Sequence, residues 1–195
     1  DQTTQLVQQN EAIKAISSLD KPTDVVVAGH SRGAAVGVKG FIAELYALSE
    51  VAKKEGGDLS NGPFMENIES LHFIPIDPVP GPEVNDKLGA QDLQVEDRVT
   101  HMFNAISERA ENPDLISTTV INARHDARTP FSLDPEWGKF IENNEGNKCE
   151  VHAMGFQHST MVKTSDPDPT IYPDPDITPK TVAAAIIGNK LGLVD

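Results

Sequence analysis

The stretch Thr23–Ala35, TDVVVAGHSRGAA, is where the chain changes its period. Val25, Val26 and Val27 form a continuous β-branched run, the composition expected of a strand buried on both faces. Beyond Gly33 the pattern is different. Ala35, Val38, Phe41, Ile42, Leu45 and Leu48 recur at helical spacing to about Lys54, and Gly56-Gly57 closes the run. A strand over Thr23–Ala28, a tight glycine-flanked turn and an amphipathic helix are therefore predicted. That is the repeating unit of a parallel α/β sheet.

The same alternation continues on either side. Asp1–Leu19 reads as a helix with Leu6, Ile13 and Ile16 near one face, stopped at Asp20-Lys21-Pro22. Further strands are predicted over Leu71–Ile76, Ser117–Ala123 and Lys148–Gly155. Helices are predicted over Leu93–Ala110, Glu136–Asn143 and, with proline at its start, Pro179–Leu191. The expected fold class is α/β, one domain over 1–195, with a mostly parallel sheet and helices on both faces. Asp58–Met65 is read as a polar loop. Ser165–Pro179 alternates Asp with Pro and is read as an extended, solvated loop, since calcium sites need glycine-assisted curvature that Asp-Pro steps do not supply.

Composition narrows the function classes. The 195 residues carry 30 acidic and 16 basic side chains, a formal net charge of −14. Sequence-independent nucleic-acid binding needs the opposite surplus, to displace counterions from phosphates. A polybasic membrane anchor is excluded on the same ground, while transient membrane contact through an apolar lip is not. No apolar run is long enough to span a bilayer, and no secretory leader is visible. One cysteine, Cys149, permits no internal disulfide.

Gly29-His30-Ser31-Arg32-Gly33 fits G-x-S-x-G, and its place between a strand and a helix is where a nucleophile elbow lies. A serine forced into a strained turn needs small residues two before and two after it. The turn presents Ser31 Oγ at the carboxyl end of the strand, and the Arg32 N–H, at the helix start, points to a developing oxyanion. Such a serine needs a histidine to take its proton and a carboxylate to orient that histidine. Asp77 ends the apolar run Phe73–Ile76 and precedes Pro78, which is expected to hold its backbone extended. Asp126 is the alternative acid, following the third strand between Arg124 and Arg128. His158 follows the last strand. Of the other histidines, His30 lies in the elbow, His72 and His152 in strands, His101 in a helix, and His125 too early in the chain. No metal-ligand spacing is present, and neither a metal nor a cofactor is expected.

These patches resemble a bacterial α/β-hydrolase family that includes phospholipase effectors of the type VI secretion system. Gly29–Ala34 resembles its G-[FH]-S-R-G-A elbow, Ile76-Asp77-Pro78-Val79 its "DPV" strand end, and His125–Pro135 its "D-E-x-R-x-x-F-x-P" element. Gly155-Phe156-Gln157-His158 resembles its closing histidine. The resemblance implies an α/β-hydrolase-like fold and a serine ester hydrolase acting on lipid or phospholipid. It also implies a Ser31–Asp77–His158 triad, Asp126 in a structural role or supporting the triad from behind, and a secreted effector or a cytoplasmic enzyme. Only Asp1–His30 precedes Ser31, whereas that fold places several strands before its nucleophile. The N-terminal strands, and the loop that gives a second oxyanion N–H, are therefore expected to be lacking. Two further readings fit the same residues. One is a catalytically inactive hydrolase-like binding domain; the other is a thioesterase or peptidase on the same triad.

Overall fold

A computed structural model of the chain describes residues 11–31, 33–56, 67–79, 97–110, 113–123, 133–154 and 179–193. Four strands are found among them: β1 (Thr23–His30), β2 (Ile68–Ile76), β3 (Ile116–Ala123) and β4 (Cys149–Met154). They form one sheet in the order β1-β2-β3-β4, and every neighbouring pair is parallel. The helices are α1 (Glu11–Ser17), α2 (Lys39–Lys54), α3 (Arg98–Arg109), α4 (Pro135–Asn144) and α5 (Pro179–Lys190). This is the predicted α/β class, with helices on both faces of a parallel sheet.

The alternation of side chains along β2 divides the apolar residues between the two faces. Leu71 and Phe73 point to the face covered by α2, α3 and α4, where Ile42, Leu45, Met102, Phe103, Trp137 and Phe140 complete the larger core. Ile74 and Ile76, with Ile121 of β3, point to the other face and meet Ala183, Ile186 and Ile187 of α5. Aromatic rings tie the larger core together across three helices and the sheet. Phe41, Phe73, Phe103, Phe140 and Trp137 contact one another in sequence, with centroid separations from 5.1 to 6.3 Å and tilted or edge-on rings. Edge-on packing of this kind adds to area burial because ring edges and faces carry opposite partial charge.

β1 departs from the expectation of a strand buried on both faces. Its residues Thr23–Val27 are only half-buried and Ala28 is exposed, whereas most of β2 is buried. The reason is position: β1 is an edge of the sheet among the described residues, so β-branched composition reported a strand but not its depth. The extended segment also runs two residues further than predicted, through Gly29 to His30. The helix after the elbow opens with a π-helical turn, Gly33–Val38, before regular α2 begins at Lys39. Single π turns inside helices are uncommon and frequently sit beside functional sites. The Ser165–Pro179 segment, save Pro179, and the first residues of the predicted N-terminal helix lie outside the described residues.

Candidate active site

The elbow rests on a close approach of two backbones. A Cβ built on Gly29 would lie 2.5 Å from the Gly33 carbonyl oxygen and 2.6 Å from its carbon, so no residue but glycine fits there without displacing the turn. At Gly33 a Cβ would meet nothing within 4 Å. The expectation that both glycines are needed for space is thus corrected: Gly33 contributes the backbone that crowds Gly29 and is not itself crowded. Ser31 between them has φ 58°, the left-handed region that is strained for a non-glycine residue. The Ser31 N–H donates to the Ile76 carbonyl at 2.9 Å, continuing the β1–β2 ladder. Its carbonyl accepts from the N–H groups of Ala34 and Ala35 at 3.1 and 3.2 Å, starting the helix. Strand pairing therefore ends and helix bonding begins on the same residue, which is what turns its side chain out of the sheet. The turn is then anchored by Ala34, Ala35 and Val38, all fully buried.

Asp77 repeats the device one strand over. His30 and Ile76 are register partners, so Ser31 and Asp77 each sit one residue beyond a paired strand end. The Asp77 N–H donates to the Ile121 carbonyl at 2.6 Å, and its φ is 44°. The extended backbone expected from Pro78 is therefore not what forms. The chain must leave the sheet at this point, and aspartate is among the few non-glycine residues that tolerate a left-handed φ. Asp77 is fully buried, with Pro78 and Val79 buried behind it. Arg32, Asp126 and His158 lie outside the described residues.

Sequence reasoning missed a buried ionic cluster beside these strand ends. Lys39, in the first turn of α2, is 1% exposed; its Nζ donates to Glu136 Oε1 at 3.1 Å and stands 3.9 Å from Asp134 Oδ2. Asp134 caps α4, its Oδ1 accepting from the N–H groups of Glu136 and Trp137 at 3.0 and 3.3 Å. Its own N–H donates to the Pro78 carbonyl at 2.9 Å. Burial raises the Glu136 carboxyl above its ordinary range, and the Lys39 charge opposes that rise. Two signals were available. Asp134-Pro135-Glu136 is a helix start with a capping carboxylate and proline at the first position. Lys39 is also a lone charge on the apolar stripe through Ala35, Ile42 and Tyr46.

Two histidines are engaged elsewhere. His72 Nδ1 lies 2.6 Å from Ser117 Oγ on the α5 face, and burial lowers its pKa below the ordinary imidazole value. His101 Nε2 lies 3.3 Å from the Tyr46 hydroxyl between α2 and α3. Among the described residues, no three His, Cys, Asp or Glu side chains come together as metal ligands would, and no helix is long and apolar enough to cross a membrane.

No protein-family model matches the chain, and no solved structure matches it. It is 30% identical over 168 residues to the extracellular phospholipase C of Dickeya chrysanthemi, an alignment covering 82% of this chain and 45% of that protein. The chain thus spans less than half the length of a relative that is, by its name, a lipolytic enzyme.

Proposed function

We propose that the chain carries the catalytic site of a serine hydrolase acting on carboxylic esters of lipids, with phospholipid as the substrate class. The observation that carries this reading is Ser31 at φ 58° between Gly29 and the helix, with a left-handed, buried Asp77 ending the adjacent strand. A strained serine at the carboxyl edge of a parallel sheet has no packing purpose that an unstrained turn would not serve better.

In this reading His158 accepts the Ser31 proton as Oγ attacks the ester carbonyl, and the carbonyl π electrons move to oxygen. The Arg32 N–H donates to that oxyanion. The tetrahedral adduct collapses, the C–O bond to the alcohol breaks, and the imidazolium returns its proton to the leaving oxygen. Water, deprotonated by His158, then hydrolyses the acyl-serine and restores the hydroxyl. Asp77 accepts from the other imidazole nitrogen and fixes its tautomer. Asp126 has a structural role, no metal or cofactor enters, and the enzyme is secreted.

A second reading is favoured by the name of the relative: cleavage of the phosphodiester rather than the acyl ester. The two are separated by products from phosphatidylcholine vesicles. Fatty acid and lysophospholipid are expected; diacylglycerol and phosphocholine would move the bond cleaved to phosphorus. The nucleophile is tested by labelling with a fluorophosphonate. The chain should label at Ser31, and Ser31→Ala should neither label nor hydrolyse while keeping its circular dichroism. Full activity in that variant would exclude Ser31, and an unlabelled, inactive wild-type chain would favour a hydrolase-like binding domain. Turnover of thioesters or peptides in place of lipid esters would reassign the substrate.

A further inference from the structure

We propose that Lys39 and Asp134 are positioning residues that hold the Ser31 and Asp77 strand ends in fixed relation. The inference rests on the reading of Ser31 as nucleophile and Asp77 as acid. Lys39 belongs to the helix that starts at Ser31, and Asp134 is bonded to the residue that follows Asp77. The contact between them closes a ring: Ser31, the π turn, Lys39, Asp134, Pro78, Asp77, and back through the β1–β2 ladder bond from Ser31 N–H to Ile76.

The Lys39–Asp134 contact is an ion pair at 3.9 Å, and directional bonds surround it: Lys39 Nζ to Glu136, Glu136 N–H to Asp134 and Asp134 N–H to Pro78. The Asp134 backbone N–H reaches the Pro78 carbonyl at 2.9 Å, and proline's fixed φ passes that constraint to the preceding residue. The Asp134 side chain is held by two helix N–H groups and cannot follow Lys39 if the lysine moves. Lys39 is held at 3.1 Å by Glu136, in the first turn of α4 that Asp134 caps, with both side chains almost wholly buried. Arg98, buried at the start of α3, adds a second positive charge acting on Glu136.

Stability alone does not account for a lysine here. A buried ion pair is often no better than an apolar pair of equal volume, because desolvation offsets the attraction. The larger core near it is built of hydrophobic side chains, chiefly Phe, Leu, Ile, Val, Met and Trp. What the ion cluster supplies, and an apolar pair would not, is a tie between α2 and the loop that leaves β2, made by the Lys39 charge at Asp134 and by the hydrogen bonds from Lys39 to Glu136 and from Glu136 to Asp134. Such a tie matters where two reacting groups come from different strands, since a displacement of about 1 Å can cost about 10²-fold in rate.

The test is kinetic, on the 195-residue chain with a soluble ester. Trp137 is the sole tryptophan, fully buried and next to Glu136, so its emission reports on this cluster in every variant. Lys39→Met keeps the stem and removes the charge. It should keep native Trp137 emission yet lose about 10- to 100-fold in kcat with KM within about 3-fold, the signature of misaligned groups rather than lost binding. Lys39→Arg should recover most of that loss. Lys139→Met, which breaks an exposed pair with Glu142 on the same helix, should match wild type. Wild-type kcat per folded molecule in Lys39→Met overturns the proposal. If that variant does not fold, Asp134→Asn decides: it keeps the capping oxygen and the bond to Pro78 but weakens the tie to Lys39. Wild-type kcat there overturns the proposal equally. Failure of the underlying reading looks different, since Ser31→Ala would then remain active, and this inference would fall with it.

Discussion

Ser31 and Asp77 stand side by side, one residue past paired strand ends, and both adopt a left-handed φ, yet they are held in opposite ways. Ser31 is held by a lack of atoms: the missing Cβ of Gly29 lets the Gly33 backbone press against the strand. Asp77 is held by a surplus of contacts, fully buried, laddered to Ile121 and backed by Pro78, whose carbonyl is bonded to Asp134. In the proposed reading, the difference suits a nucleophile that meets substrate and an acid that does not. The serine is partly exposed on a crowded turn, while the aspartate is withdrawn from solvent.

The largest expected effect comes from removing the charge at the buried end. Asp77→Asn should keep the fold and lower ester turnover on the order of 10⁴-fold, the scale for neutralising the triad acid of a serine protease. Asp126→Asn should cost far less. Both are assayed on one soluble ester with circular dichroism as the folding check. A dead Asp126→Asn beside an active Asp77→Asn would move the acid to the end of β3.

The next effect separates the two glycines of the elbow. Gly29→Ala places a methyl 2.5 Å from the Gly33 oxygen, so the turn must open; activity and the melting temperature should both fall. Gly33→Ala has open space and should stay within about 0.5 kcal/mol of wild-type stability, as for substitutions away from packed features. Equal behaviour of the two variants in thermal melts would contradict the asymmetric account of how Ser31 is held.

The smallest effect concerns pH. The Glu136 carboxyl is faced by Lys39, Asp134 and Arg98, and burial raises it above its ordinary 4.5. A group whose folded value is raised contributes fully below its unfolded value, and that contribution is lost as pH rises through the folded value. The stability of wild type relative to Glu136→Gln should therefore decline as pH climbs from 4 through the raised range. Melting curves of both proteins across that window measure it, and a gap that widens in favour of wild type would show the sign to be wrong.

Much of this was legible in the sequence because it is local. The valine run, the change to helical spacing after Gly33, and apolar runs ending at Ile76 and Ala123 locate strands and their carboxyl ends from neighbouring residues alone. The left-handed φ of Asp77 was not legible: the rule for residues before proline points to extended backbone, and the ladder bond to Ile121 comes from another strand. The half-buried state of β1 depends on which strands flank it, which valine composition does not encode. Lys39 and Glu136 are 97 positions apart, and nothing near either one announces the other.

Cys149 has a practical consequence. It lies buried at the start of β4, and burial, reinforced by Glu145 and Glu150, pushes its thiol up to about 12. Thiolate, the species that reacts with maleimides and disulfides, is almost absent at neutral pH, and the sulfur is shielded besides. As this is the chain's one cysteine, a second placed on an exposed helix face would take a dye at a single defined position, with no need to remove the native thiol. The same shielding makes slow thiol trapping a clock for opening of the larger core, read one molecule at a time by mass.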